Sequence, residues 1–187
     1  MRRSAVPGEL VRKTRGRRLC AAVLGLVLNF GCAGDFAAID GGFRHRNHGY
    51  TLGLPNGPGP PWARVEGKDL KLGFRRPGPQ TISVQSRCGR PLTTPSILAR
   101  HLLIGVSVRT LREAGRTEID GRDAWTQTVD VAGGVRLKTV TTVMDDCVVD
   151  LILAAPGDAD FESAERAFDL WLATFRLEGR SPSEEGG

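Results

Sequence analysis

No apolar stretch of the chain reaches the roughly 20 residues that a membrane-spanning helix needs. The nearest candidate, Leu19–Phe30 (L-C-A-A-V-L-G-L-V-L-N-F), falls well short, so a permanent transmembrane anchor is the weaker reading. The motifs of common catalysts are missing too: H-E-x-x-H, G-x-S-x-G, S-x-x-K and the Walker pattern do not occur. No C-x-x-C is present to depress the pKa of a thiol, which argues against a dithiol redox enzyme. The glycines of Pro55–Pro61 (P-N-G-P-G-P-P) make no phosphate cradle, because no G-K-S/T or G-x-G-x-x-G follows a strand and opens a helix. That segment reads as a turn-rich connection, or else as the rim of a cleft.

What is present is one domain's worth of ordinary globular composition. The 187 residues are 40% hydrophobic and 25% charged, enough for one core and a short extra segment. The formal charge of +5 would suit nucleic acid, but its location decides otherwise. Seven of the 26 basic residues and one of the 21 acids lie within positions 1–31. The remainder holds 19 basic against 20 acidic residues, a net charge of about −1, with its Arg and Lys scattered. No nucleic-acid partner is expected.

Residues 1–18 are basic and run straight into the apolar Leu19–Phe30, followed by Gly31, Cys32, Ala33 and Gly34. Basic, apolar and small-residue regions in that order lay out a secretory signal. Gly31-Cys32-Ala33 at the end of the apolar run resembles the lipobox of bacterial lipoproteins, with Asn29 where that family prefers Leu and Leu28 one place further back. The resemblance implies that Cys32 is the lipidated first residue of the mature chain, whose acyl groups hold it to a membrane. Cleavage after Ala33, releasing a soluble exported protein, is the alternative. The expected organisation is a signal peptide over 1–31, a lipidated cysteine and unstructured tether over 32–42, one folded domain over 43–178 and a disordered tail over 179–187.

Periodicity supplies the domain's elements. Tyr50, Leu52 and Leu54 alternate as in a strand, two short strands follow around Gly67, and Gln80–Cys88 puts Ile82, Val84, Ser86 and Cys88 on one face. Thr94-Pro95 opens a helix expected to run to about Val106, with Ile97, Leu98, Leu102 and Ile104 on its apolar arc and His101 inside it as a core histidine. Arg109–Ile119 reads as an irregular strand, and Asp123–Val131 and Val135–Met144 as a hairpin around Gly133-Gly134. Cys147–Ala155 is nearly all apolar and reads as a central strand. Phe161, Ala164, Phe168, Trp171, Leu172 and Phe175 then recur at helical spacing, with Asp158 or Asp160 as N-cap. The fold class is α+β: a single antiparallel sheet of about six to eight strands packed by two main helices.

Cys20 leaves with the leader and Cys32 is spoken for, so Cys88 and Cys147 are the thiols of the body. Both are expected to face the interior, where in an oxidising compartment they can form a disulfide stabilising the fold by roughly 4 kcal/mol. His45 and His48, three apart on a strand, point to opposite faces with no acid or cysteine nearby in sequence, so no metal site is expected. Asp145-Asp146 fits a turn. Asp150, inside an apolar strand, must face solvent or pair with a base such as Arg122 or Lys138. Asp150 and Trp125 are the candidate ligand-binding residues.

A lipoprotein-like leader, short strands, a helix, a long hairpin, an apolar strand and a last helix ending F-D-L-W-L-A-T-F-R-L (Phe168–Leu177) together resemble the PsbP-like group of exported α+β proteins. The resemblance implies an antiparallel sheet flanked by helices and a non-enzymatic accessory or assembly role, and it carries no functional residue onto this chain. The expectation is a bacterial envelope lipoprotein, lipid-anchored and facing periplasm or cell surface, that binds or assembles with a protein partner, without catalytic residues or cofactor. Two alternatives stand beside it. One is a small exported hydrolase using His101 with Asp145, Asp146 or Asp150; the other is a purely structural surface protein.

Overall fold

The computed structural model describes residues 35–67, 70–89, 93–157 and 159–178. The leader, Cys32, the candidate cap Asp158 and the tail over 179–187 lie outside these residues.

The expected single sheet is two sheets. The larger has seven antiparallel strands: β4 (Ala63–Gly67), β5 (Leu70–Arg76), β6 (Gln80–Cys88), β7 (Val108–Ile119), β8 (Arg122–Val131), β9 (Val135–Met144) and β10 (Cys147–Pro156). Their order is β4-β5-β6-β10-β9-β8-β7, so the apolar β10 is central, as its composition demands. The smaller sheet joins β1 (Phe36–Ile39), β2 (Gly42–His45), β3 (Tyr50–Gly53) and β11 (Arg176–Leu177), in the order β1-β2-β3-β11. Apart from β3 it was hidden from periodicity, because its strands have two to four residues and β11 pairs with β3 from much later in the chain.

The tether is a correction of the same kind. Positions 36–39 pair with β2, Phe36 is buried, and Asp35 is bridged to Lys71 at 2.8 Å, so residues ahead of Phe43 already belong to the folded domain. One aromatic among small residues is enough to seat the strand.

Local chemistry fixes the long hairpins. Asp120 and Gly121 both have positive φ, which a two-residue turn between right-twisted strands requires, and Ile119 faces Arg122 across it. Asp145 turns β9 into β10 at φ 52. The edge strand β7 is irregular as expected, with two register shifts, and is almost wholly exposed. Arg109, Arg112, Glu113, Arg116 and Glu118 along it discourage another strand from pairing there.

Two helices, α1 (Pro95–Leu102) and α2 (Ala159–Leu172), cover opposite faces of the large sheet. Neighbouring β8 residues show this: Gln127 donates to Ala99 O of α1, whereas Thr128 pairs with Lys138, which reaches Glu165 and Asp169 of α2. The core lies on the α2 side. There Phe161, Ala164, Phe168 and Trp171 meet Leu72, Phe74, Ile82, Val84, Leu151 and Leu153, and the small sheet adds Phe36, Phe43, Tyr50 and Leu52. Asp160 is inside α2's first turn, so it is not the cap.

Arg76 is buried among these layers. It donates to Gln80 Oε1, to Pro58 O at 2.7 Å and to Ser163 Oγ at 3.1 Å, and its guanidinium stands over Trp62. One cation thus ties the Pro55–Pro61 connection to β5 and to α2. Burial lowers its pKa, with Asp160 working the other way.

α1 is shorter than expected, ending at Leu102 in a turn over Leu103–Gly105. Leu98 and Ala99 face the sheet, while Ile97 and Ile104 are exposed. His101 is exposed as well, which corrects its assignment to the core. The arc read from spacing continued past Leu102, and the chain unwinds before Ile104 reaches the sheet. Thr94 has extended backbone at the start, but its hydroxyl meets Ser96 Oγ at 3.0 Å and caps no backbone N–H.

Candidate functional site

Among the described residues, metal-ligating side chains gather at the end of the large sheet where β6 finishes and β10 begins. Register places Cys88 directly opposite Cys147, and the two are joined by a disulfide with Cα atoms 3.9 Å apart. The bond expected from the sequence is formed. Cys147 is buried, and Cys88, opposite it on the same face as its alternation suggested, is nevertheless exposed because it is the last residue of its strand. Alternation gives the face of the sheet, but not where the covering layer stops.

The two histidines are here also, and their placement overturns the expectation of opposite faces. His45 ends β2, whereas His48 belongs to the turn after it, which folds its ring back flat onto His45 with centroids 3.9 Å apart and planes 10° from parallel. His45 is buried, edge-on to Phe36 at 4.7 Å, and its Nδ1 accepts from Asn47 N at 3.3 Å. Burial, then the neighbouring His48, pushes its pKa down to about 4. His48 Nδ1 lies 2.7 Å from Ser86 Oγ, which also accepts from the buried Tyr50 hydroxyl at 3.4 Å. A ligand nitrogen of His48 and the sulfurs of Cys88 and Cys147 all lie within 4.8 Å of one another. Beside them is a cavity of about 310 Å³ whose lining includes His48, Arg122, Met144, Asp145, Asp146 and Cys147. Sequence distance concealed this group, since its members come from the β2–β3 turn, β6 and β10.

The predicted ligand residues Asp150 and Trp125 share the α1 face, in one row, since Thr141 faces Trp125 on one side and Asp150 on the other. Neither lines this cavity or the one below. Asp150 is fully buried, its Oδ2 accepting from Arg87 Nη2 and its Oδ1 from Thr141 Oγ1, each at 2.7 Å. The expected partners Arg122 and Lys138 give way to Arg87, because the register sets Asp150 against Gln85, one alternation from Arg87 on the same face. Trp125 is half-buried.

A second cavity of about 350 Å³ is bounded by β7–β9 and the end of α2, with Glu118, Asp120, Lys138, Asp169 and Arg176 in its wall. Burial opposes the charge on Lys138, but Asp169 and Glu165 outweigh it and hold its pKa above the ordinary lysine value. Asp120 accepts from Leu177 N at 2.7 Å and so locks β11 to the hairpin turn.

The hydrolase alternative needs His101 beside a carboxylate in a cleft. His101 is exposed on α1, Asp150 is buried beneath Arg87 and Thr141, and Asp145 and Asp146 are exposed in the β9–β10 turn. The fold does not gather them into a cleft: His101 lines neither of the cavities above.

A stapled antiparallel sheet with a helix on each face defines a layered α+β protein. The sequence matches no family model and no curated protein. Among solved structures the chain is similar to cyanobacterial PsbP (CyanoP) from Synechocystis sp. PCC 6803, with a TM-score of 0.55 and 18% identity over 82% of this chain and 98% of that one. The fold is therefore PsbP-like, and identity this low speaks to the fold alone. Weaker likenesses are to a protein of Bacteroides thetaiotaomicron VPI-5482 (TM-score 0.46, 13% identity, 73% of this chain and 47% of that one) and to PA94 of Pseudomonas aeruginosa, a protein of unknown function (0.44, 14%, 78% and 96%).

Proposed function

We propose that this chain is a bacterial envelope lipoprotein, anchored through an acylated Cys32, whose α+β domain binds a protein partner and performs no catalysis. The observation that carries this is the Cys88–Cys147 bond between two adjacent strands of the large sheet. Disulfides persist in oxidising compartments, which is where a leader of this layout delivers its cargo. In this reading the acyl groups on Cys32 are the membrane attachment.

For the partner's contact we propose the region where α1 passes into β7. Ile97, Ile104, Val106, Val108 and Leu111 are all exposed along that short stretch, Ile104 by 75% and Leu111 by 59%. Exposed apolar side chains this close together in sequence support a contact with apolar groups of another protein.

Intact mass of the membrane-extracted protein tests the proposal. The expected species begins at Cys32, carries acyl groups and is two hydrogens lighter for the disulfide. C32S should appear in the soluble fraction. A cytosolic chain still starting at Met1, with free Cys88 and Cys147, overturns it.

A further inference from the structure

The disulfide end of the sheet contains more than a staple. Three metal-ligating side chains converge there from separate parts of the chain, His48, Cys88 and Cys147, with ligand atoms all within 4.8 Å. In a tetrahedral zinc site with Zn–S of about 2.3 Å and Zn–N of about 2.0 Å, ligand atoms lie roughly 3.5 Å apart. Here they lie within 4.8 Å of one another, so His48 must draw closer to reach that spacing and the sulfurs, which the covalent bond holds together, must part.

The surroundings suit an ion. Ser86 engages His48 Nδ1 at 2.7 Å, and Nδ1–H donating to that oxygen is the tautomer that leaves Nε2 its lone pair. Ser86 is itself positioned by the buried Tyr50 hydroxyl, and the stacked His45 supports the plane of the His48 ring. The Asp146 carboxylate lies 3.4 Å from Cys147 Sγ. Asp146 also lines the adjoining cavity with His48 and Cys147, so a carboxylate or water is at hand for a fourth position.

We propose that Cys88, Cys147 and His48 form a redox-gated site for one thiophilic divalent cation of the Zn²⁺ class. The oxidised protein is the closed form. A dithiol reductant attacks the exposed Cys88 sulfur, the S–S bond breaks, and Cys147 leaves as a thiolate. The second thiol of the reductant then displaces Cys88, so the reductant ends as a disulfide and this protein as a dithiol. The cation binds both sulfurs as thiolates and releases two protons to solvent, with His48 neutral as the third ligand. Because only the reduced form binds, the cation in turn stabilises that form against reoxidation.

The test uses the full chain carrying C20S and C32S, so that only the two body cysteines remain. After reduction with a phosphine it is titrated with Co²⁺, which reports thiolate ligation through near-ultraviolet charge-transfer absorption and tetrahedral geometry through its visible bands. One equivalent is expected, displaced by Zn²⁺, with no uptake by the oxidised protein. C147S should abolish binding, H48A should weaken it at least tenfold, and S86A about tenfold by releasing the imidazole. Circular dichroism of each sample follows the sheet. A reduced protein that takes up no Co²⁺, folded or unfolded, overturns the proposal. So does H48A binding with unchanged affinity and spectrum, which would mean an adventitious dithiol only.

Discussion

Tyr50 is the chain's single tyrosine, fully buried, stacked on Phe175 at 5.3 Å and donating to Ser86. Burial raises its pKa well above the ordinary 10.0, against the smaller opposing effect of the Ser86 hydrogen bond. Above about pH 10 the unfolded chain therefore releases a proton that the folded chain keeps, and stability falls as pH rises. Absorbance at 295 nm should show no tyrosinate until the fold is lost, then all of it in one cooperative step, and Y50F should lack this part of the alkaline destabilisation. A gradual titration centred near pH 10 in folded protein would contradict the burial. The alternation Tyr50, Leu52, Leu54 already placed this residue in a strand, with Tyr50 and Leu52 buried and Leu54 exposed. What alternation could not supply was the neighbour, because Phe175 returns from beyond the last helix. Asp150 shows the same limit. Its discomfort in an apolar strand was plain from the sequence, yet its partner depended on a register between strands that only folding sets.

Single elements depend on close approach as much as on pattern. Gly42 opens β2 against β3, and a Cβ there would stand 2.2 Å from Leu52 O and 2.9 Å from Gly53 Cα, both backbone atoms that cannot rotate away. G42A is expected to destabilise the domain by about 3 kcal/mol, the upper part of the range for overpacking, in chemical denaturation monitored by tryptophan fluorescence. G41A, at a turn with open space around it, meets only the strain of its positive φ and should cost about 1 kcal/mol. Long elements such as β8, β9, β10 and α2 were legible because ten to fourteen residues repeat a period often enough to declare it. Of the small sheet only β3 was, through Tyr50 and Leu52; β1, β2 and β11 are too short to declare a period. Their positions follow from Phe36, Phe43, Tyr50 and Leu52 meeting α2 and the large sheet.

Across the whole domain the Cys88–Cys147 bond closes a sequence separation of 59 residues that includes α1 and β7–β9. In the chain-entropy model its removal costs about 4 kcal/mol. The double variant C88A/C147A should unfold at correspondingly lower denaturant with a larger denatured-state expansion, and an unchanged midpoint would show that the strands are held without it. By itself the sequence determined the α+β class, the central place of β10 and the buried face of α2, and it pointed to the pairing of Cys88 with Cys147. These depend on which residues alternate and how often, which a linear chain displays. Tertiary structure alone decided the second sheet, the shortened α1 with His101 outside, the Arg87 partner of Asp150, and the meeting of His48 with two sulfurs. Each of these joins groups distant in sequence, and the register and layering that bring them together are set by the packing of the whole chain.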